Sequence, residues 1–278
     1  MKKKLLVLFT GLLMVSLVLA GCSTQKESGK SGDTGNTSGK TKLVVGATAK
    51  PHAEILEVVK PLLVKENIDL EIKVFTDYVQ LNPALKDKQI DANFFQHIPY
   101  LEDYNKNNNA DLVWAVKVHT EPMGVYSQKI KDIKDVANNA KVGIPNDATN
   151  GGRALMVLEK GGLIKLTEGA GVNATDKDIV ENPKNIEITM MDAAMLPRSL
   201  ADLDICVINS NYAIEAGLNP VKDAIFIEPK DSPFANVLAV RAEDKDNDAI
   251  KKLGAALQSP EVKKFLEDNY NGSCIPAF

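Results

Sequence analysis

From Lys42 onward the apolar residues of this chain change rhythm repeatedly. Short runs rich in β-formers, LVVGA (43–47), LEIKVF (70–75), IDANFF (90–95) and DLVWAVKV (111–118), predict strands. Between them the spacing lengthens to that of helices. From His52 to Glu66, apolar residues at 55, 56, 58, 59, 62 and 63 form one broad stripe, with Pro51 placed at or just before the first turn. Shorter helices are expected at Asn82 to Lys88 and Pro99 to Asn107. The second half repeats the pattern, with strands at KVGIP (141–145), IEITMM (186–191), DICVIN (204–209), AIFIE (224–228) and VLAVR (237–241). Its helices are expected near Gly151 to Lys160, Ala193 to Leu200, Tyr212 to Ala216, Asp248 to Gln258 and Pro260 to Asn269. Such alternation predicts an α/β fold of parallel strands covered on both faces. The strands exceed one comfortable small sheet, so two lobes with a cleft between them are expected.

The first forty residues follow a different logic. Met1 to Lys4 are basic, Leu5 to Ala20 are almost wholly apolar, and Leu19-Ala20-Gly21-Cys22 closes the run with small residues before a cysteine. The run is too short for a spanning helix, which needs ~20 apolar residues, and a polar stretch follows it. Residues 1–21 therefore read as a secretory leader, and the last four resemble the bacterial lipoprotein signal, in which Cys22 carries the lipid. Residues 23–41, STQKESGKSGDTGNTSGKT, contain no large apolar side chain and are expected to remain a flexible tether with a reach of roughly 25 Å. The expected location is the extracytoplasmic face of the cell membrane.

Charge removes one class of partner. The chain carries 33 basic and 37 acidic residues, and loss of Lys2, Lys3 and Lys4 with the leader moves the net charge from −4 to −7. A nucleic-acid binder should instead show a basic footprint, so no nucleic-acid partner is expected. Enzyme signatures are missing too: there is no G-x-S-x-G, no phosphate loop, no H-E-x-x-H and no G-x-G-x-x-G. The three histidines, His52, His97 and His119, lie in separate segments, so no metal and no cofactor are expected. Cys206 falls inside an apolar strand and reads as a buried free thiol, although a bridge to Cys274 remains open in an exported protein.

In open parallel sheets the ligand crevice lies beyond the carboxyl ends of the strands. Those positions here hold Thr76-Asp77-Tyr78, then Phe95-Gln96-His97, then Asn146 to Arg153, then Asn209-Ser210-Asn211-Tyr212. Pro99 as first helical residue leaves Phe95, Gln96 and His97 in the loop feeding that helix. Two readings of that loop stand: a pocket wall, or a core aromatic beside a capping histidine. In TNGGR, Asn150 reads as a helix N-cap. Arg153 after it is either a carboxylate anchor or a surface arginine behind an ordinary turn.

Seven strings in order, DYVQLNPAL (77–85), DANFFQHIPYL (91–101), NDATNGGRAL (146–155), ENPKNIEI (181–188), LPRSL (196–200), VINSNYA (207–213) and DSPFANVLAVR (231–241), resemble the NlpA-type methionine-binding lipoproteins. The resemblance implies a monomeric substrate-binding receptor of a methionine-importing ABC transporter, partnered by a permease and, through it, an ATPase. It implies a type II periplasmic-binding-protein-like architecture whose crossovers lie near Met123 to Ser127 and Val237 to Arg241. Lobe one would hold residues 42–124 and 238–278, and lobe two residues 125–237. The family's ligand contacts fall on Tyr78, Phe95, His97, Arg153, Asn209 and Asn236. Arg153 would pair with the α-carboxylate, the two asparagines with carboxylate and ammonium, and the three rings with the thioether. No catalytic residue is implied. Alternatives are a methionine-containing dipeptide or another small amino acid as ligand, a surface hydrolase using Cys206 or a serine with His97, and an adhesive lipoprotein.

Overall fold

The computed structural model describes residues 39–229 and 233–278; the leader, Cys22 and most of the tether lie outside the described residues. The chain begins with β1 (Thr41–Thr48), α1 (Glu54–Lys65), β2 (Ile68–Phe75), α2 (Leu81–Lys86), β3 (Ala92–His97), α3 (Ile98–Asn108) and β4 (Val113–Thr120). A middle segment follows, with β5 (Gly124–Tyr126), β6 (Lys141–Pro145), α4 (Ala148–Lys160), β7 (Lys165–Leu166), β8 (Ile179–Glu181) and β9 (Glu187–Met191). It continues through α5 (Leu196–Ser199), β10 (Ile205–Ile208), α6 (Ser210–Glu215), α7 (Pro220–Asp223) and β11 (Phe226–Ile227). The last part is β12 (Ala235–Val240), α8 (Asp248–Leu257), α9 (Pro260–Tyr270) and β13 (Ile275–Pro276).

Two main sheets result, one of six strands in the order β13-β4-β12-β3-β1-β2 and one of five in the order β11-β5-β10-β6-β9. Each is parallel toward one edge, as the alternation predicts: β1 pairs with β2 and β3, and β6 with β9 and β10. The strands that lead between the sheets, β4, β5, β11 and β12, supply antiparallel pairs, which the strand-helix rhythm does not anticipate. The chain changes sheet between Thr120 and Gly124, close to the expected crossover, and again between Ile227 and Ala235. That second change comes before Val237 to Arg241. Ala235 and Asn236 already pair with Thr120 and His119, so a boundary at 237/238 would cut β12, whose ladder bonds fix all of it in the six-stranded sheet.

The cores explain why these segments fold where they do. On α1, Ile55, Leu56, Val59 and Leu63 recur at helical spacing and are buried with Val45, Phe94, Leu253 and Leu266 against the six-stranded sheet. On α4, Ala154, Leu155, Val157 and Leu158 do the same against Val142, Ile144 and Val207 of the five-stranded sheet. A third cluster joins Tyr78, Leu81 and Phe95 to Leu196, Ile208 and Tyr212, so apolar packing continues from one sheet's loops to the other's.

One close approach tightens α4. A Cβ on Gly152 would stand 2.2 Å from the backbone oxygen of Val172, which no real contact tolerates. Gly152→Ala should therefore force α4 away from residues 171–174 and lower stability by about 1–3 kcal/mol. Urea unfolding with an unchanged midpoint would show that this segment moves freely.

Candidate functional site

The carboxyl ends of four strands converge as the crevice rule requires, and antiparallel β12 brings its amino end to the same place. β1 leads to His52, β3 ends in Phe95, Gln96 and His97, β4 leads to Glu121, β10 leads to Asn209, and Asn236 is the second residue of β12. Together with the first turns of α4 they surround a tight cavity of about 20 Å³, and Tyr78, Phe95, His97, Arg153, Asn209 and Asn236 all line it.

At its centre lies a buried charge system. Arg153, 3% exposed, directs Nε to both carboxylate oxygens of Glu228 at 3.1 and 3.2 Å and Nη2 to Glu228 Oε2 at 2.5 Å. Nη2 also donates to the backbone oxygen of Glu121 at 2.7 Å. The fork expected to grip a ligand carboxylate is thus already filled on one edge. Among the described residues Nη1 takes no hydrogen bond, and the Phe234 ring covers the guanidinium at 4.2 Å.

A second buried carboxylate faces two histidines. His52 and His119 both direct Nε2 to Glu121 Oε1, at 3.3 and 2.7 Å. His52 Nδ1 meets the Thr48 hydroxyl at 2.8 Å, and its Nε2 also faces Asn236 Oδ1 at 3.1 Å, so Nε2 carries the proton. Burial holds His52 down at about 4 despite the opposing pull of Glu121. Burial alone would raise Glu121, but His52, His119 and the Arg153 charge together outweigh it and keep the carboxyl below its usual value. His52, His119 and Glu121 offer ligand atoms within 4.8 Å of one another, close enough for a metal ion. Their separation in sequence hides this proximity. Hydrogen bonds already consume the converging atoms, and among the described residues the buried His119 Nδ1 lacks the partner that a ligating imidazole ordinarily has.

The amides form the rest of the polar wall. Asn150 Oδ1 accepts from Asn209 Nδ2 at 2.8 Å and from His97 Nε2 at 3.1 Å. Among the described residues Asn209 Oδ1 and Asn211 Nδ2 are buried without a partner, an acceptor and a donor that a polar ligand would satisfy. Adjoining them is an aromatic wall in which Tyr78 stands 5.7 Å from Phe95 and 4.8 Å from Tyr212, centroid to centroid. Tyr78 Oη donates to Asn211 Oδ1 at 2.5 Å. Behind Phe95, Asn82, Asn93 and Gln96 satisfy one another at 2.7–2.8 Å and stiffen β3.

Several expectations change in detail. Phe95 and Gln96 belong to β3 rather than to a loop, because Val237 and Asn236 of β12 pair with Gln96 and His97. His97 does cap α3, its Nδ1 accepting from Tyr100 N at 3.2 Å, and it faces the cavity as well; the two readings of it are both true. Burial, then the Arg153 charge, hold His97 at about 3. The N-cap of α4 is Asp147, which accepts from Asn150 N, so Asn150 lies inside the helix and is free to reach across the cleft. Cys206 and Cys274 are free and buried, and burial pushes the Cys206 thiol up to about 12, unsuited to a nucleophile. Glu121 and Glu228 are site residues that sequence reasoning misses. Each precedes a proline at the end of a strand, in Glu121-Pro122 and Glu228-Pro229, and that pairing is the available signal.

No helix among the described residues is long and apolar enough to cross a membrane. Residues 43–278 match the profile of the NlpA lipoprotein family. The chain is 42% identical over 276 residues to the methionine-binding lipoprotein MetQ of Bacillus subtilis (strain 168), covering 97% of this chain and 98% of that protein. It is 40% identical over 267 residues to the D-methionine-binding lipoprotein MetQ of Escherichia coli (strain K12), covering 95% of each. Among solved structures, a nutrient binding protein from Burkholderia cenocepacia bound to methionine superposes with a TM-score of 0.83 at 47% identity, covering 85% of this chain and 100% of that one. A match of this length and identity, on a fold whose strand ends enclose one polar and aromatic cavity, settles membership: the chain belongs to the NlpA lipoprotein family.

Proposed function

We propose that this chain is a lipid-anchored receptor on the extracytoplasmic face of the membrane, attached through Cys22, that captures methionine and delivers it to an ABC permease and its ATPase. The observation that carries the reading is that one cavity is lined by a buried arginine, a buried carboxylate, amide atoms unpartnered among the described residues, and aromatic rings. A zwitterion with an apolar, polarisable tail fits that division. Arg153 Nη1 would meet the α-carboxylate, while Asn209 and Asn236 would meet carboxylate and ammonium. Tyr78, Phe95 and His97 would surround the thioether. The relatives named for methionine or D-methionine support the same ligand. The two sheets would act as lobes, one formed by residues up to about 120 and from 235 onward, the other by the segment between, closing over the ligand as a monomer. Capture and release change no bond, so no group is assigned a catalytic role.

The test is calorimetric titration of the detergent-solubilised, ligand-stripped chain with L-methionine, D-methionine, a methionine dipeptide and other amino acids. One-to-one binding of free methionine is expected. Binding of the dipeptide alone would move the ligand to a peptide, and chemical turnover of any of them would replace the receptor by an enzyme.

A further inference from the structure

The charge pair at the cavity does more than neutralise itself. Glu228 lies just past β11, at the start of the connection that leads back to the six-stranded sheet, and Glu121 to Met123 form the outward connection. Glu228 Oε2 accepts from Met123 N at 3.1 Å, and Glu228 N donates to Met123 O at 2.8 Å, so one residue ties the two connections together by side chain and backbone. The same carboxylate holds the Nε and Nη2 edge of Arg153, whose Nη2 also reaches Glu121 O. Phe234, farther along the returning connection, covers the guanidinium. Among the described residues, every hydrogen bond of the Arg153 side chain therefore ends on a connecting segment, and only Nη1 is left for the cavity.

We infer that Glu228 is the positioning residue for Arg153: it clasps the guanidinium to both connections and thereby aims Nη1 at the place where a ligand carboxylate sits. Arg153 then keeps one orientation relative to the pivot while the lobes move. This rests on the amino-acid reading for its ligand but not for its geometry. An arginine held at two edges has a single donor face to offer, so the ligand meets a preorganised contact instead of ordering a flexible side chain.

The experiment compares the parent chain with Glu228→Gln, full length in detergent, using L-methionine and methioninol, which lacks the carboxylate. Glu228→Gln should weaken methionine roughly tenfold or more, equivalent to at least about 1.4 kcal/mol, while leaving methioninol nearly unchanged. In an Arg153→Met background the same substitution should have no further effect, because its influence passes through Arg153. Equal losses for both ligands, or additive losses in the double variant, would reduce Glu228 to a general structural role and overturn the inference. Should Glu228→Gln fail to fold, Glu228→Asp keeps the charge but shortens the reach, and the same selective loss is expected. A ligand-independent readout is the Arg153 Nε–H signal in nitrogen-15 spectra: slow to exchange with water in the parent and fast in Glu228→Gln. Fast exchange in the parent would overturn the clasp itself. Slow exchange with no binding of any amino acid would support the clasp while rejecting the proposed ligand.

Discussion

Arg153→Ala should weaken methionine binding by about 2–5 kcal/mol, the range for removing one member of a buried, hydrogen-bonded charge pair. The loss has two parts. The ligand's carboxylate forfeits its cationic partner in the cavity, since His52 and His97 are held neutral at pH 7. Among the described residues the Glu228 carboxylate, 5% exposed, is left with the Met123 amide alone, so the fold is weakened as well, by about 3–5 kcal/mol. Calorimetry on Arg153→Ala combined with Glu228→Gln separates the two, because removing both charges restores stability without restoring the carboxylate contact. Near-normal affinity in either variant would mean that other groups hold the carboxylate.

Acid should unfold this protein through its histidines. His52 and His97 sit at about 4 and about 3 when folded, against 6.5 for an unhindered imidazole, and burial is the main cause for both. In the unfolded chain both take up protons as the pH falls through 6.5, while the folded chain does not. Their contribution is therefore complete above pH 6.5 and drains away as the pH falls toward about 4 and then 3. At about 1.4 kcal/mol per unit, each histidine accounts for roughly 3–5 kcal/mol, a large share of a domain's total stability of ~5–15 kcal/mol. Glu121, held below its usual value, adds a loss of the same sign at still lower pH. Asp147, raised by burial, works in the opposite direction over that range. Urea midpoints measured between pH 7 and pH 4 should fall steadily, and His52→Gln should flatten the slope. A flat profile in the parent would mean that water reaches these rings.

Much of this architecture is legible in the chain because it rests on period and position. The stripe on α1, the alternation of strand and helix, and the rule that crevices lie beyond strand ends bring the segments holding Tyr78, Phe95, His97, Arg153 and Asn209 to one crevice; it is the family resemblance that picks these side chains out of them. What escapes depends on partners distant in sequence. Strands β7 and β13 are two residues long and carry no period. His97 reads as a loop residue because only pairing with Asn236, far along the chain, draws it into β3. Asn150 reads as a cap because Asp147 and Asn150 are equally good cap formers, and the choice is made by which of them can bridge to Asn209 and His97. Glu121 and Glu228 resemble ordinary surface charge; their burial follows from both lying where the chain changes sheet.

The contacts that reach from one sheet's loops to the other's share one property. Tyr78 donates to Asn211, and His97 meets Asn150, all of them uncharged groups, while the ion pairs among the described residues stay within one sheet's elements or on the connections. Uncharged hydrogen bonds vanish once a layer of water intervenes, whereas opposite charges would still attract across a Debye length of about 8 Å at physiological salt. If the lobes open and close as proposed, a body built this way would behave like a press stud: it would grip on contact, feel nothing when apart, and leave the ionic strength of its surroundings without a handle on the cycle.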